Sequence, residues 1–436
     1  MNIYPLLMFA VLFIGLAAGI QVAFILAAVP LGFAFFIWGP QGMMTLIQGA
    51  WGAMNNFVLT AIPMFVFMAV LLEKSGIVED LYTCFYKWSG PLRGGLAIAT
   101  VIVGTIIGAV SGVVAAGVIG LGLIALPQMQ RYKYDRGIAV GSVLVGGTLG
   151  QIIPPSTNMV VYGAVTNLSV GKLFAAGVSS GLLFSLTFCI YILIRSWINK
   201  DLCPALPKEA RASWADKLIS LRAVVLPALL IVVCMGAIFS GAATPTEGAA
   251  FGALGSIVFA VCTRRFRWDI FQECCITTVR VTVMVLWMIA GASAFSAVFA
   301  GIGGNRAVME FALAMPGGKW GAFSASFAFI FFLGMFLETT AIILLAAPIV
   351  TPILINLGFE PLWWGIIFQL LLQTAYISPP FGMSLFYLKG VAPPDVDLEA
   401  IFKFSIPWIG LQVIAIILIV VFPVMGMWLP WWLFGQ

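Results

Sequence analysis

The chain has 436 residues, of which 62% are hydrophobic and only 8% charged, against roughly 25% charged in an ordinary soluble domain. Its formal charge of +5 is scattered among loops rather than gathered on one face, so no nucleic-acid footprint is present. There is no histidine, which removes the usual proton shuttle, and the seven cysteines have no metal-type or disulfide-framework spacing.

Apolar runs of about 20 residues, the length that spans a bilayer, recur along the whole chain and predict an all-α polytopic membrane protein. In chain order, spans are expected at 3–19, 21–38 and 56–72. The first lacks a basic leader and a small-residue cleavage site, and so reads as a span rather than a signal peptide. A pair of short apolar segments follows at 95–110 and 112–127, turning on "AVSGVV". A span at 137–167 is interrupted by "GQIIPPSTNM" (150–159), and another is expected at 172–194. Residues 195–221 read as a basic cytoplasmic linker. Beyond it come spans at 222–240, 245–262 and 281–300, a short pair at 320–336 and 339–355 turning on "FLETTAI", an interrupted span at 362–391 and a last one at 404–428.

The halves repeat. A shift of 225 residues places Pro91, Pro127, Pro154 and Pro155 on Pro316, Pro352, Pro379 and Pro380, with no gap. The same shift brings Gly76–Ile77 onto Gly301–Ile302, Tyr162 onto Tyr387 and Asp135 onto Glu360. Short paired segments with polar tips suit re-entrant hairpins, here 95–127 and 320–355. Each repeat then crosses five times, and the copies, 1–194 and 222–436, are inverted. With both termini on the periplasmic side, 18 of the 21 Lys and Arg fall in or beside inside loops, as the positive-inside rule requires.

Proline removes a backbone donor and clashes with the preceding turn. Paired breaks in inverted repeats point to a secondary transporter whose site lies where the repeats meet. The breaks offer freed carbonyls to a cation and half-helix N-termini to an anion. Around them lie Ser156, Thr157 and Asn158 in one copy, and Ser378 and Ser384 in the other. Oxygen donors at this density suit a hard cation such as Na⁺. The hairpin tips, with Ser111 and Gly112 in one and Glu338, Thr339 and Thr340 in the other, supply the remaining half of each site. Glu338 is open to two readings: a ligand or gate, or the cap of the half-helix that follows. Glu247 reads as a first-turn acid beside a Thr cap. No HExxH, GxSxG or P-loop is present, so no enzyme chemistry is expected.

At these residues the chain resembles the large membrane subunit of the tripartite ATP-independent periplasmic (TRAP) transporters. The segments that carry the likeness are "GTLGQIIPPSTNMVVYG", "ATPTEGAAFG", "MFLETTAIILLAAPIVTPI" and "SPPFGMSLFYLKGVAP". The resemblance covers nearly the whole chain. It implies an elevator-type architecture and Na⁺ as the coupling ion with no organic cofactor. It also implies a periplasmic substrate-binding protein that delivers an organic acid, and a small four-helix membrane partner. That partner is expected as a separate chain in the bacterial inner membrane. By position, one cation would contact Ser111, Gly112 and Asn158, and a second Thr339, Thr340, Gly382 and Met383. The substrate carboxylate would lie among Ser111, Pro155, Ser156, Glu338, Thr339, Pro380 and Ser384. The first tip departs from the family pattern: "SGVVAAG" has valines where further Ser or Thr are common. A self-sufficient ion-coupled anion carrier is the alternative within the same class; a membrane-embedded enzyme or a scaffold is the alternative outside it.

Overall fold

The computed structural model describes residues 3–111, 114–394 and 396–435, and every regular element among them is helical. The first half contains α1 (Tyr4–Ala17), α2 (Val22–Trp38), α3 (Gly42–Met54), α4 (Ala61–Lys74) and α5 (Ile77–Ser89). It continues with α6 (Gly95–Ser111), α7 (Val114–Arg131), α8 (Arg136–Thr148), α9 (Thr157–Thr166) and α10 (Val170–Ile198). A short linker helix, α11 (Trp214–Ser220), leads into α12 (Arg222–Phe239), α13 (Pro245–Cys262), α14 (Trp268–Gly301) and α15 (Gly304–Leu313). The chain ends with α16 (Lys319–Gly334), α17 (Thr339–Asn356), α18 (Pro361–Tyr376), α19 (Met383–Lys389), α20 (Leu398–Val421) and α21 (Val424–Phe434). Among the described residues, nine helices are long and apolar enough to cross a membrane.

The short paired segments form α6–α7 and α16–α17, each packed on the first half of a broken helix, α8 or α18. The breaks separate α8 from α9 and α18 from α19, and both Pro-Pro bonds are cis. Small residues let these elements approach closely, as helices in lipid require. A Cβ at Gly104 of α6 would stand 2.4 Å from the Gly146 carbonyl of α8. One at Gly334 of α16 would stand 2.2 Å from Ala375 Cβ of α18. Each broken helix also crosses to the other half: α9 packs on α17, and α19 on α7. The Gln373 amide nitrogen donates to Thr148 Oγ1 at 3.5 Å, and these two positions are themselves related by the 225-residue shift. A residue can touch its own counterpart only beside the axis relating the halves, so that axis passes between α8 and α18.

The paired acids serve as helix caps. Asp135 Oδ1 accepts from Ile138 N at 3.1 Å, and the Glu360 carboxylate accepts from Leu362 N at 3.1 Å and from Trp363 N. Asp135→Ala and Glu360→Ala are each expected to cost about 1 kcal/mol. The check is a fall of a few degrees in Tm of the purified protein, with no change of oligomer size.

Several segments differ from the expectation. Helices α3, α5 and α15 occupy stretches read as loops, because a search for span-length apolar runs passes over short amphipathic helices. Helix α5 buries Ile77, Val78, Leu81, Tyr82 and Cys84 on one face while Glu79, Asp80 and Lys87 interrupt its apolar run. The span expected at 281–300 is the second half of α14, a 34-residue helix that takes up most of the loop expected at 263–280. The last expected span divides at Pro423 into α20 and α21. The repeat also needs a gap. Gly76 caps α5 with φ +71°, and the corresponding cap of α15 is Gly303 with φ +86°, two residues beyond Gly301.

The linker is not a loose loop. Leu202 and Cys203 give their carbonyls to Asp135 N and Gly94 N, at 2.8 and 3.1 Å, and Leu206 N donates to the Gly90 carbonyl. Burial there pushes the Cys203 thiol up to about 12.

Candidate functional site

The first break is buried throughout residues 150–156. Ser156 turns its hydroxyl back to the Gln151 carbonyl at 2.7 Å, so it leaves the first N–H groups of α9 without a side-chain cap. Asn158, in the first turn of α9, points across to the second hairpin. Its amide nitrogen donates to Thr339 Oγ1 at 3.0 Å, and Thr340 Oγ1 donates to its Oδ1 at 3.3 Å. Both threonine hydroxyls also reach Glu338 Oε1, at 3.1 and 3.0 Å. The other carboxylate oxygen of Glu338 accepts from Thr340 N and Ala341 N at 3.0 and 3.3 Å. Glu338 therefore caps α17 with one oxygen and holds the two hydroxyls with the other. Of the two readings of this acid, the cap is the one the geometry shows.

The second hairpin tip also meets the second break. The rings of Phe336 and Phe381 lie 5.4 Å apart, both half exposed. Pro380 and Met383 are exposed on the same segment, whereas Gly382 is buried. A Cβ at Gly382 would lie 2.7–2.8 Å from the backbone of Tyr376 and Ser378, so this turn requires glycine. Ser384 is fully buried, and its hydroxyl has no hydrogen-bond partner among the described residues.

The grouping of the candidate residues is thus set by the second hairpin. Asn158, Thr339, Thr340 and Glu338 form one hydrogen-bonded cluster. Gly382, Met383, Pro380 and Ser384 line the adjoining break, and Pro155 is buried in the other. The sequence expectation paired Asn158 with the first tip, on residues outside those described. Ser111 ends α6 and its side chain is outside the described residues, as is Gly112. Glu247 sits elsewhere and forms a capping box with Thr244: Thr244 N reaches Glu247 Oε2 at 2.7 Å, and Glu247 N reaches Thr244 Oγ1 at 3.3 Å.

A family model described as tripartite ATP-independent periplasmic transporter, DctM component, matches residues 9–425. The chain belongs to this family. The C4-dicarboxylate TRAP transporter large permease protein DctM of Pseudomonas aeruginosa is 33% identical over 398 residues, 91% of this chain and 92% of that one. The sialic acid TRAP transporter large permease protein SiaM of Vibrio cholerae is 29% identical over 422 residues, 95% of this chain and 96% of its own length. The ectoine TRAP transporter large permease protein TeaC of Halomonas elongata is 27% identical over 92% of both chains. The crystal structure of the Alcanivorax borkumensis YdaH transporter shares the fold, with a TM-score of 0.64 over 91% of each chain at 14% identity. This chain is therefore a multi-pass membrane transporter subunit and not an enzyme.

One buried residue beside the second break was missed in the sequence. Tyr376, at the last turn of α18 before the break, is buried. Tyr162, the repeat counterpart of Tyr387, bonds Thr351 at 3.0 Å inside the core.

Proposed function

We propose that this chain is the large membrane subunit of a Na⁺-coupled carrier that imports an organic acid delivered by a periplasmic substrate-binding protein. The observation that carries the reading is the oxygen cluster of Asn158, Thr339, Thr340 and Glu338. An amide oxygen, two hydroxyls and a carboxylate, held together beside a helix break, match the donor chemistry of a hard cation, and broken helices are where secondary transporters place their coupling ions. Beside the cluster, the uncapped N-terminus of α9 offers N–H groups to a carboxylate. The relatives' names span C4-dicarboxylates, sialic acid and ectoine, so the shared membrane fold serves more than one such solute.

The hairpins and broken helices would move as one body, in elevator fashion. A crevice of about 310 Å³ lies between α3 and α14 on one side and α9 and α17 on the other, and gives that motion a seam. A small four-helix subunit on a separate chain would hold the static side in the inner membrane, with the termini of the large subunit periplasmic.

Purified protein, reconstituted with its small subunit and binding protein, tests this. Uptake of the acid that stabilises the binding protein should fall about tenfold or more when the Na⁺ gradient is replaced by K⁺. It should fall as far when the binding protein is omitted. Equal uptake in K⁺ would remove the coupling ion, and equal uptake without the binding protein would favour a self-sufficient carrier.

A further inference from the structure

A second polar cavity, of about 470 Å³, opens where α5, α11, α12 and the end of α13 meet. Asp80, Thr83, Cys84 and Lys87 recur at helical spacing and face it from α5. Arg222 enters from the start of α12, and Arg265 from just beyond α13. Arg265 is committed: its guanidinium lies 2.6 Å from Asp80 and donates to the Ser75 carbonyl at 2.7 Å. Lys87 and Arg222 make no ion pair within 4 Å among the described residues; Lys87 is within electrostatic reach of the exposed Asp216, whose carboxylate is held by Ser213. The lining therefore carries more positive than negative charge, with Arg222 free of an ion pair and the hydroxyls of Thr83 and Ser220 beside it.

The floor of this cavity is apolar, formed by Leu226 and Phe259. It runs on to the outer face of α12, where Val225, Leu229, Val232 and Val233 are exposed. At the rim, α11 exposes Trp214, Leu218 and Ile219, and Lys217 covers the Trp214 ring at 4.8 Å. Trp and Lys with this division between apolar and charged faces belong at the level of lipid headgroups. Paired cations above an apolar slot are complementary to an anionic headgroup carrying acyl chains, and a free anion would leave the slot unfilled.

We infer that this cavity is a binding site for an anionic glycerophospholipid. The phosphate lies between Lys87 and Arg222, and an acyl chain follows Leu226 down α12. Because α5 belongs to the first repeat, α12 to the second and α11 to the linker, the bound lipid ties the two halves together at one membrane surface.

Delipidated protein in neutral detergent should gain thermal stability on addition of phosphatidylglycerol, and little from phosphatidylcholine or inorganic phosphate. Lys87→Gln with Arg222→Gln should weaken the phosphatidylglycerol response about tenfold or more, while Lys172→Gln with Lys319→Gln leaves it unchanged. Arg222→Lys should retain most of it. The lipid comparison on the unaltered protein decides the matter even if the double variant folds poorly. Equal stabilisation by phosphatidylcholine, full replacement by inorganic phosphate, or an unchanged response in a folded double variant would each overturn the assignment.

Discussion

Asn158→Ala is expected to abolish most Na⁺-driven uptake while leaving the yield of folded protein unchanged. The two effects separate because of how the cluster is wired. Removing the amide deletes the bonds at 3.0 and 3.3 Å to Thr339 and Thr340, but both hydroxyls keep their bonds to Glu338 at 3.1 and 3.0 Å. No buried hydroxyl is orphaned, so the cost to folding stays near the ~1 kcal/mol of an ordinary hydrogen bond. A bound cation instead loses a ligand oxygen. An interaction of 1–3 kcal/mol corresponds to about 5- to 150-fold in apparent Na⁺ affinity. Thr340→Ala should act in the same direction, and the double variant should be less than additive because the two groups share one cluster. Uptake titrated against Na⁺ in proteoliposomes checks this. Full, Na⁺-stimulated uptake in both single variants would remove the cluster from the ion pathway.

How far this site was legible depends on the distance over which its residues act. The Pro-Pro breaks and the cap beside Glu247 are local, written within ten residues, and both stand where the sequence put them. The repeat was legible because its prolines recur, although its two-residue gap at Gly303 was hidden by a chance Gly-Ile match. The bond from Asn158 to Thr339 spans 181 positions, and no periodicity encodes it. Only the crossing of α9 to α17 and of α19 to α7 explains it. Given that crossing, the shift puts Met383 where Asn158 stands, and Val114 and Ala115 where Thr339 and Thr340 stand. At these positions one copy carries polar side chains and the other apolar ones. The fold is nearly symmetric, and its chemistry is not. Helix α5 escaped for a different reason: its three charges keep any span-length window below membrane hydropathy, while its buried stripe still follows the helical period.

Gly104→Ala is expected to cause a large loss of folded protein. The added methyl would sit 2.4 Å from the Gly146 carbonyl oxygen, 2.5 Å from its carbon and 2.6 Å from its Cα. All three are backbone atoms of α8, so no rotamer change relieves the contact and the two helices must part. Such overpacking costs about 1–3 kcal/mol and more where the neighbour is rigid. Gly120, on the partner helix α7, is the control: a Cβ there meets only a Val78 methyl at 3.5 Å, an ordinary contact. Gly120→Ala should be neutral or stabilising, by up to the ~1 kcal/mol that separates Gly from Ala in a helix. Size-exclusion profiles and Tm of the two variants provide the test, and a monodisperse Gly104→Ala protein with unchanged Tm would refute the packing argument. Whatever fraction of Gly104→Ala protein does fold should also transport poorly. The α6–α8 crossing fixes the first hairpin against the helix whose break opens at Ile152, so spreading that crossing shifts α6 relative to that break.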